Sequence, residues 1–381
     1  MLIRALEWRA GWFSDPAERL EFLRRRAGPA GYGKRSHECV RHSGVQTVKR
    51  ASVMIITLAL AFGTSVRRPT LAAAAKIAPT FSKRAGARQW LPDGHVWLVQ
   101  TTPQFDLYSN GLRVEERYAT STAPRGYLAF ARDGAFAIHL SGEWRTEPAG
   151  IVYHTSESHL APFEEDQNRS LRQAGDGLLA YVGRRRSYHF VIDRFGRVFR
   201  VVRESDYANH AGNSVWADQR WIYINLNQSF FGVAFEASSK SSGIEPAVNR
   251  AQVYAGRILT EMLRARFAIP ASNCVAHAQV SVNPANYGVA YHRDWASNLP
   301  FTDLGLSDNY KLPPPSVELF GFEPDGAWMA DTAPSMRPGW ETAEVRLRLD
   351  AAAHNLPVER YREKLHQRYR DAIRALRGKG A

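Results

Sequence analysis

The sequence contains little cysteine. Cys39 and Cys274 are the only cysteines among 381 residues. Two thiols are too few for a structural zinc cluster or for a framework of disulfides. The chain also lacks the Gly-x-Ser-x-Gly nucleophile motif, which argues against a serine hydrolase of that type. It has no internal repeats.

Long hydrophobic runs are absent as well. The apolar run at residues 53–62 is about half of the roughly twenty residues that a membrane-spanning helix needs. Basic residues precede this run, and the small-residue stretch 71–75 follows it, which is the pattern of a signal peptide. We therefore expect export to the periplasm or cell envelope, with membrane contact only through an uncleaved leader. The alternative is a buried core helix in a cytosolic protein.

Most of the chain, residues 91–381, has no excess of basic over acidic residues. The whole sequence carries 50 Lys+Arg and 37 Asp+Glu, but residues 1–90 alone carry 17 and 5 of them. Residues 91–381 carry 33 and 32, so their net charge is close to zero. A surface that follows a phosphate backbone needs many basic side chains, and we therefore predict no nucleic-acid partner.

Changes in composition divide the chain into segments. Asn110-Gly111 and Asp133-Gly134 lie between alternating apolar and polar runs, which is a strong hairpin signal. Residues 311–339 are rich in proline and glycine, as connecting segments often are. The predicted segments are a basic leader (1–90), a small β module (91–147), a larger α/β domain (148–308), a linker (309–340) and a helical C-terminal segment (341–381).

The larger domain combines short apolar strands with polar loops and helices. This mixture predicts an α/β (α+β) fold with a central mixed β-sheet flanked by helices. The clearest helix is predicted over 246–267, because apolar residues recur there on one helical face. A second apolar stripe runs along the C-terminal segment and is typical of a docking or partner face; it comprises Tyr361, Leu365, Tyr369, Ile373 and Leu376.

Three polar residues follow strands in this domain. His154 ends one predicted strand, His277 ends another, and Asp294 lies in a loop soon after the second. The ends of strands place side chains at one edge of a sheet, where functional sites assemble. Two histidines and one aspartate, with a fourth position left for water, are typical of a catalytic zinc site. Each histidine alone is equally compatible with a hydrogen-bonded structural residue.

The order of these residues and their sequence context resemble the zinc-dependent N-acetylmuramoyl-L-alanine amidase family of type 2. This family includes phage amidase-type lysozymes and peptidoglycan recognition proteins. The resemblance covers roughly residues 148–305. The matching segments are 150–158, 188–198, 209–212, 231–236 and 276–300.

The resemblance implies hydrolysis of the amide bond between N-acetylmuramic acid and L-alanine, with peptidoglycan or a muropeptide as the partner. It implies that Zn²⁺ is the cofactor and that it is held by His154, His277 and Asp294. His292 and Tyr188 then lie where family members stabilise the reacting carbonyl. His210 and the neighbouring Asn209 lie where members line the substrate groove. The oligomeric state is left open.

The chain departs from the family pattern in three places. His277 and Asp294 are 17 residues apart, which is longer than usual, so residues 283–288 are interpreted as an insertion. His292 replaces a lysine that many members carry. The acid/base glutamate of one branch falls at Ala234, and Glu236 is either its substitute or a structural residue. A peptidoglycan-binding module without catalysis is the alternative function, although the complete ligand set favours an enzyme.

Overall fold

The computed structural model describes residues 95–133, 137–238, 248–324 and 335–378. The basic leader, with its signal-peptide-like run, lies outside the described residues. The described residues belong to one compact unit. None of the helices in these ranges is both long enough and apolar enough to cross a membrane.

Fourteen strands form three sheets in the described part of the chain. The strands are β1 (Leu98–Thr101), β2 (Phe105–Tyr108), β3 (Arg113–Glu115), β4 (Tyr127–Asp133), β5 (Ala137–Arg145), β6 (Gly150–Thr155), β7 (Phe190–Ile192), β8 (Val198–Arg200), β9 (Val215–Ala217), β10 (Trp221–Ile224), β11 (Phe230–Phe235), β12 (Cys274–Ala276), β13 (Val282–Asn283) and β14 (Gly288–Val289). The central sheet has the order β1-β2-β3-β8-β7-β11-β6-β12. A second sheet has the order β5-β4-β10-β9, and β13 pairs with β14.

The helices lie around these sheets. They are α1 (Asn168–Arg185), α2 (Leu226–Ser229), α3 (Arg250–Phe267), α4 (His277–Val280), α5 (Pro315–Phe320), α6 (Arg337–Ala353) and α7 (Val358–Gly378). The helix predicted over 246–267 corresponds to α3, which begins at a capping box between Asn249 and Gln252. Each of these two side chains satisfies a backbone N–H that the first helical turn leaves unpaired.

The middle of the central sheet is parallel. β11 lies between β7 and β6, and β12 pairs with the other side of β6, all in the same direction. Every residue of these four strands is buried, because α3 covers one face and α1 and the second sheet cover the other. α1 contributes to the hydrophobic cluster on one face, and α3 contributes to the cluster on the other. The α/β fold class predicted from the sequence is confirmed.

Both hairpins predicted in residues 91–147 are present. β2 pairs with β3 across the Asn110-Gly111 turn, and β4 pairs with β5. β3 also pairs with β8, so the first hairpin extends the central sheet, while β4 pairs with β10 in the second sheet. The β module therefore shares its sheets with residues of the larger domain. The predicted domain boundaries stay a prediction.

Part of the predicted linker forms a helix. Its residues Pro315–Phe320 form α5, and all six are buried. Proline is favourable at the first helical position because its missing N–H would have no partner there. Burial of Val317, Leu319 and Phe320 in the main hydrophobic cluster explains why this proline-rich segment packs.

The C-terminal segment forms two helices, α6 and α7, with a break over 354–357. The apolar stripe of α7 faces the interior of this chain. Tyr361, Leu365 and Tyr369 are buried, and the Tyr369 ring packs edge-on against Phe320 and Phe322. The stripe is a docking face, as predicted, but what it contacts is α5 and the segment that follows it.

Candidate metal centre

The three predicted ligand residues come together at the carboxyl edge of the parallel strands. His154 is the fifth residue of β6, and His277 is the first residue of α4, directly after β12. Asp294 lies in the loop that follows β14. All three side chains are buried, and one ligand atom from each lies within 4.8 Å of the others.

The carboxylate of Asp294 connects the two histidines. Its Oδ2 atom lies 3.0 Å from Nδ1 of His154, and its Oδ1 atom lies 2.7 Å from Nδ1 of His277. The two imidazole rings have their centroids 4.4 Å apart. The Nδ1 atoms of both histidines therefore face the same carboxylate.

The outer nitrogens of the two rings have hydrogen-bond partners that suit metal ligands. Nε2 of His277 lies 3.4 Å from the carbonyl oxygen of Ala211, which can only accept a hydrogen bond. Nε2 of His210 likewise lies 3.2 Å from the carbonyl oxygen of Phe230, so Nδ1 of His210 is left to accept from Nε2 of His154 at 3.1 Å. With a metal bound, this arrangement would leave both inner Nδ1 atoms with a lone pair, whereas in the metal-free protein the same atoms hydrogen-bond to the Asp294 carboxylate. Carbonyls that hold the outer nitrogen of a histidine are typical of metal ligands.

The electrostatic environment favours the same protonation states. Burial and the neighbouring His277 lower the pKa of His154 to about 4, although Asp294 opposes this shift. Burial alone would raise the pKa of Asp294, but attraction to His277 and hydrogen bonds from His154 and His277 lower it. At neutral pH His154 is neutral and Asp294 is ionised, which are the forms that bind metals.

This donor set fits a zinc ion. Tetrahedral Zn²⁺ has ligands at about 2.0–2.2 Å, which places neighbouring ligand atoms about 3.4 Å apart. The 2.7 Å and 3.0 Å separations lie below that spacing and the 4.8 Å limit of the group lies above it, so small shifts of the side chains would admit the ion. Two imidazole nitrogens and one carboxylate oxygen also match catalytic zinc sites, which keep a fourth position open.

His292 and Tyr188 lie beside this group. The His292 ring stacks on the His277 ring with a centroid distance of 4.7 Å, and its backbone N–H donates to Oγ of Ser281. The Tyr188 ring lies 5.0 Å from the His154 ring. Burial raises the pKa of Tyr188, and the carboxylate of Asp294 raises it further, so its hydroxyl keeps its proton at neutral pH.

The other predicted site residues have different surroundings. His210 contacts His154 directly, as described above, and is therefore part of the ligand environment as well as a candidate groove residue. The Asn209 side chain is exposed and donates to the carbonyl of Arg185. Glu236 is buried and accepts a hydrogen bond from the backbone N–H of Arg194. None of the contacts recorded for the described residues joins Glu236 to the three ligand residues.

Two residues that support the site were missed by the sequence analysis. The side-chain oxygen of Asn227 accepts hydrogen bonds from the backbone N–H groups of three consecutive residues, 210–212. Gly232 leaves room for the His210 ring, since a Cβ at this position would lie 2.6 Å from Cγ of His210. Neither residue belongs to a motif with metal-ligand spacing, so the sequence alone gives no signal for them.

The segment that contains this site matches a known family model. Residues 144–295 match the family model described as N-acetylmuramoyl-L-alanine amidase. A search of curated proteins gave no significant match.

Three solved structures illustrate the similarity, which is low in sequence but extends over most of the length of each solved chain. The amidase LysC from Clostridium intestinale is 18% identical and matches over 49% of this chain and 92% of its own, with a TM-score of 0.27. AmiD from E. coli, solved with anhydro-N-acetylmuramic acid-L-Ala-D-gamma-Glu-L-Lys, is 20% identical over 61% and 74%, with a TM-score of 0.31. The Drosophila peptidoglycan recognition protein SD is 14% identical over 43% and 84%, with a TM-score of 0.25.

The family match spans the strand that carries His154, the strand that precedes His277, and Asp294 itself. The resemblance inferred from the sequence is thereby confirmed: residues 144–295 match the model of the N-acetylmuramoyl-L-alanine amidase family.

Proposed function

We propose that this protein is a zinc-dependent N-acetylmuramoyl-L-alanine amidase. It hydrolyses the amide bond between N-acetylmuramic acid and L-alanine in peptidoglycan. The observation that carries this proposal is the buried group of His154, His277 and Asp294 within the segment that matches the amidase family.

His154 and His277 would hold the metal through Nδ1, and Asp294 would hold it through its carboxylate. Zinc bound in this way lowers the pKa of a water ligand to about 7 and polarises a carbonyl group. The protein supplies the orientation of the ligands. The carbonyls of Phe230 (through His210) and Ala211 hold the outer ring nitrogens, so the inner nitrogens of both rings face the same carboxylate and would be available to a metal there.

His292 and Tyr188 stabilise the charge that develops during the reaction. When water adds to the lactyl carbonyl carbon, negative charge forms on the carbonyl oxygen. The Tyr188 hydroxyl is a donor at neutral pH because its pKa is raised, and it lies on the His154 side of the site. Preorganised donors of this kind typically contribute about 3 kcal/mol each.

The carbon–nitrogen bond then breaks, and the amine of L-alanine must take up a proton. We assign this donation to His292, because its ring stacks directly on the ring of His277. Glu236 is the second candidate. Its carboxylate accepts a hydrogen bond from the N–H of Arg194 at the start of the turn after β7, and this contact also gives it a structural function there.

We also propose that the protein is exported and acts in the periplasm or cell envelope. The support is the sequence of the leader, in which basic residues, a short apolar run and small residues follow one another. Peptidoglycan lies outside the cytoplasmic membrane, so export and the proposed substrate agree.

The test is to measure zinc in the purified protein and then to digest purified peptidoglycan and count new L-alanine amino termini. We expect one equivalent of zinc and release that a chelator abolishes. The His154→Ala variant is the matched control and is expected to release none. If the purified protein contains no zinc and binds peptidoglycan without cutting it, the result would contradict the proposal and support a binding module.

A further inference from the structure

The insertion between His277 and Asp294 forms a small hairpin. β13 pairs antiparallel with β14, with Val282 opposite Val289 and Asn283 opposite Gly288. We call residues 282–289 the insertion hairpin. It lies in the chain directly before His292 and Asp294, so its position affects both.

One side of the insertion hairpin packs against the C-terminal helix α7. The ring of Tyr287 stacks on the ring of His366 with a centroid distance of 3.7 Å and an angle of 10°. A guanidinium N–H of Arg370 donates to the hydroxyl of Tyr287. Phe322 contacts the same ring edge-on at 5.5 Å. Tyr287 is therefore held between α7 and the segment that follows α5.

The backbone reinforces this contact. The N–H of Val289 donates to the carbonyl of Glu323 at 3.0 Å, and the N–H of Glu323 donates to the carbonyl of Tyr287 at 2.9 Å. The carboxylate of Glu323 in turn lies 3.1 Å from Nε of Arg362 on α7. The side chain of Tyr287 thus contacts α7 directly, and the backbone of the hairpin is connected to α7 through Glu323.

The other side of the insertion hairpin leads to the metal centre. The N–H of Ala290 donates to the carbonyl of Ser281, and Oγ of Ser281 accepts from the N–H of His292. The carbonyl of Asp294 accepts from the N–H of Ala278, next to the ligand His277. Hydrogen bonds to Ser281 therefore join the hairpin to His292, and a separate hydrogen bond joins Asp294 to the residue next to His277.

The backbone of this loop requires such support. Tyr287, Ala290 and Trp295 have φ angles of 53°, 49° and 55°. Residues other than glycine seldom adopt this left-handed conformation, and it persists only where the surrounding structure imposes it. The contacts of Tyr287 with α7 impose it at the first of the three positions.

We propose that the helix α7 is a positioning element for the metal centre and that Tyr287 is its positioning residue. Through Tyr287, His366 and Arg370 the C-terminal segment sets the placement of Asp294 and His292. This inference rests on the proposed zinc site. It gives a function to the C-terminal helices and to the insertion, which the family pattern leaves unexplained.

The test compares Tyr287→Ala with Tyr287→Phe in the full chain. Phenylalanine keeps the stack on His366, whereas alanine removes it. The zinc dissociation constant is measured by competition with a chromogenic chelator, and the unfolding midpoint of the metal-free protein is measured in parallel. We expect about tenfold weaker zinc binding for Tyr287→Ala, since supporting residues of a metal site typically contribute 10- to 100-fold. Tyr287→Phe should stay within about threefold of the unsubstituted chain on the same grounds.

A destabilising control separates positioning from general stability. Leu112 is fully buried in the hairpin β2–β3, at the far end of the central sheet. Leu112→Ala should lower the unfolding midpoint and leave zinc affinity unchanged. His366→Ala removes the same stack from the helix side and should weaken zinc binding as Tyr287→Ala does, which keeps the test decisive where one variant fails to fold.

The outcomes are distinguishable. If the unsubstituted chain binds zinc and Tyr287→Ala binds it equally well, the positioning function is overturned and the proposed amidase stands. The same holds if Leu112→Ala weakens zinc binding as much as Tyr287→Ala. If the unsubstituted chain binds no zinc, both proposals are overturned together.

Discussion

The two histidines and the aspartate of the candidate metal centre reach it from different kinds of structure. His154 and His277 follow paired parallel strands, in which Val275 lies opposite Val152 and Ala276 opposite Tyr153. A ladder of backbone hydrogen bonds therefore fixes the distance between the two histidines. Asp294 follows a loop with left-handed residues, and side-chain contacts with another part of the chain hold that loop.

One site therefore combines residues placed by backbone pairing, His154 and His277, with a residue placed by side-chain contacts, Asp294. A strand edge tolerates substitutions in the surrounding loops, because its geometry comes from the backbone. A loop held by side chains depends on each of those side chains. We therefore expect substitutions near the histidines and near the aspartate to have separable effects.

The largest expected effect comes from removing ligands on either side. His154→Ala and Asp294→Ala should both lose stoichiometric zinc, because two protein ligands are too few for a stable site. His292→Ala should keep its zinc and lose about 10²- to 10³-fold in turnover, as expected for one donor to a developing oxyanion. Zinc content after gel filtration and the rate of L-alanine amino-terminus release measure the two quantities. Equal zinc loss in all three variants would contradict the roles assigned here.

An intermediate effect is expected from the pH dependence of stability in the metal-free protein. His154 and Asp294 should act in different pH ranges. The pKa of His154 is lowered by burial to about 4, below its ordinary value of 6.5. The unfolded chain therefore binds a proton that the folded metal-free chain does not, and stability is lost as the pH falls from about 6.5 towards 4. Over this pH range the free energy of unfolding should fall by about 3 kcal/mol because of His154.

Asp294 acts in a different pH range. Its pKa is lowered by His277 and by its hydrogen bonds, so its contribution is present above its ordinary pKa and is lost only at more acidic pH. Urea unfolding of the metal-free protein at several pH values measures both ranges. The His154→Asn variant, which cannot titrate, should show a flatter dependence between pH 6.5 and 4. An unchanged slope in that variant would remove His154 as the cause.

The smallest effect is expected at two glycines. Gly232→Ala would place a Cβ 2.6 Å from the His210 ring, and overpacking of this kind costs about 1–3 kcal/mol. Gly177→Ala is the matched control, since its Cβ meets nothing within 4 Å on the exposed face of α1. Alanine should stabilise that helix by about 0.5–1 kcal/mol. Thermal unfolding measures both changes, and a stable Gly232→Ala protein with unaltered zinc affinity would show that His210 is not held in this way.

The sequence predicted the parts of the site that depend on local pattern. His154 and His277 were found because each follows a short apolar run, and such runs form buried parallel strands. Asp294 was found through its context near His292. The support from Asn227 and from Tyr287 could not be predicted, because each depends on contacts between segments that are distant in sequence. The packing of α5 was missed because a proline-rich composition is typical of connectors and says nothing about burial.

The parallel pairing of β6 with β11 and β12 has a consequence for how the protein is made. These strands begin at Gly150, Phe230 and Cys274, so the ladder closes only between residues that are far apart along the chain. Non-local pairing of this kind slows folding, because the entropy of closing long loops is lost before the contacts form. A growing chain also cannot complete the ligand set until Asp294 has been synthesised. Assembly of the candidate metal centre therefore follows the synthesis of all three of its strands and of the loop that carries Asp294.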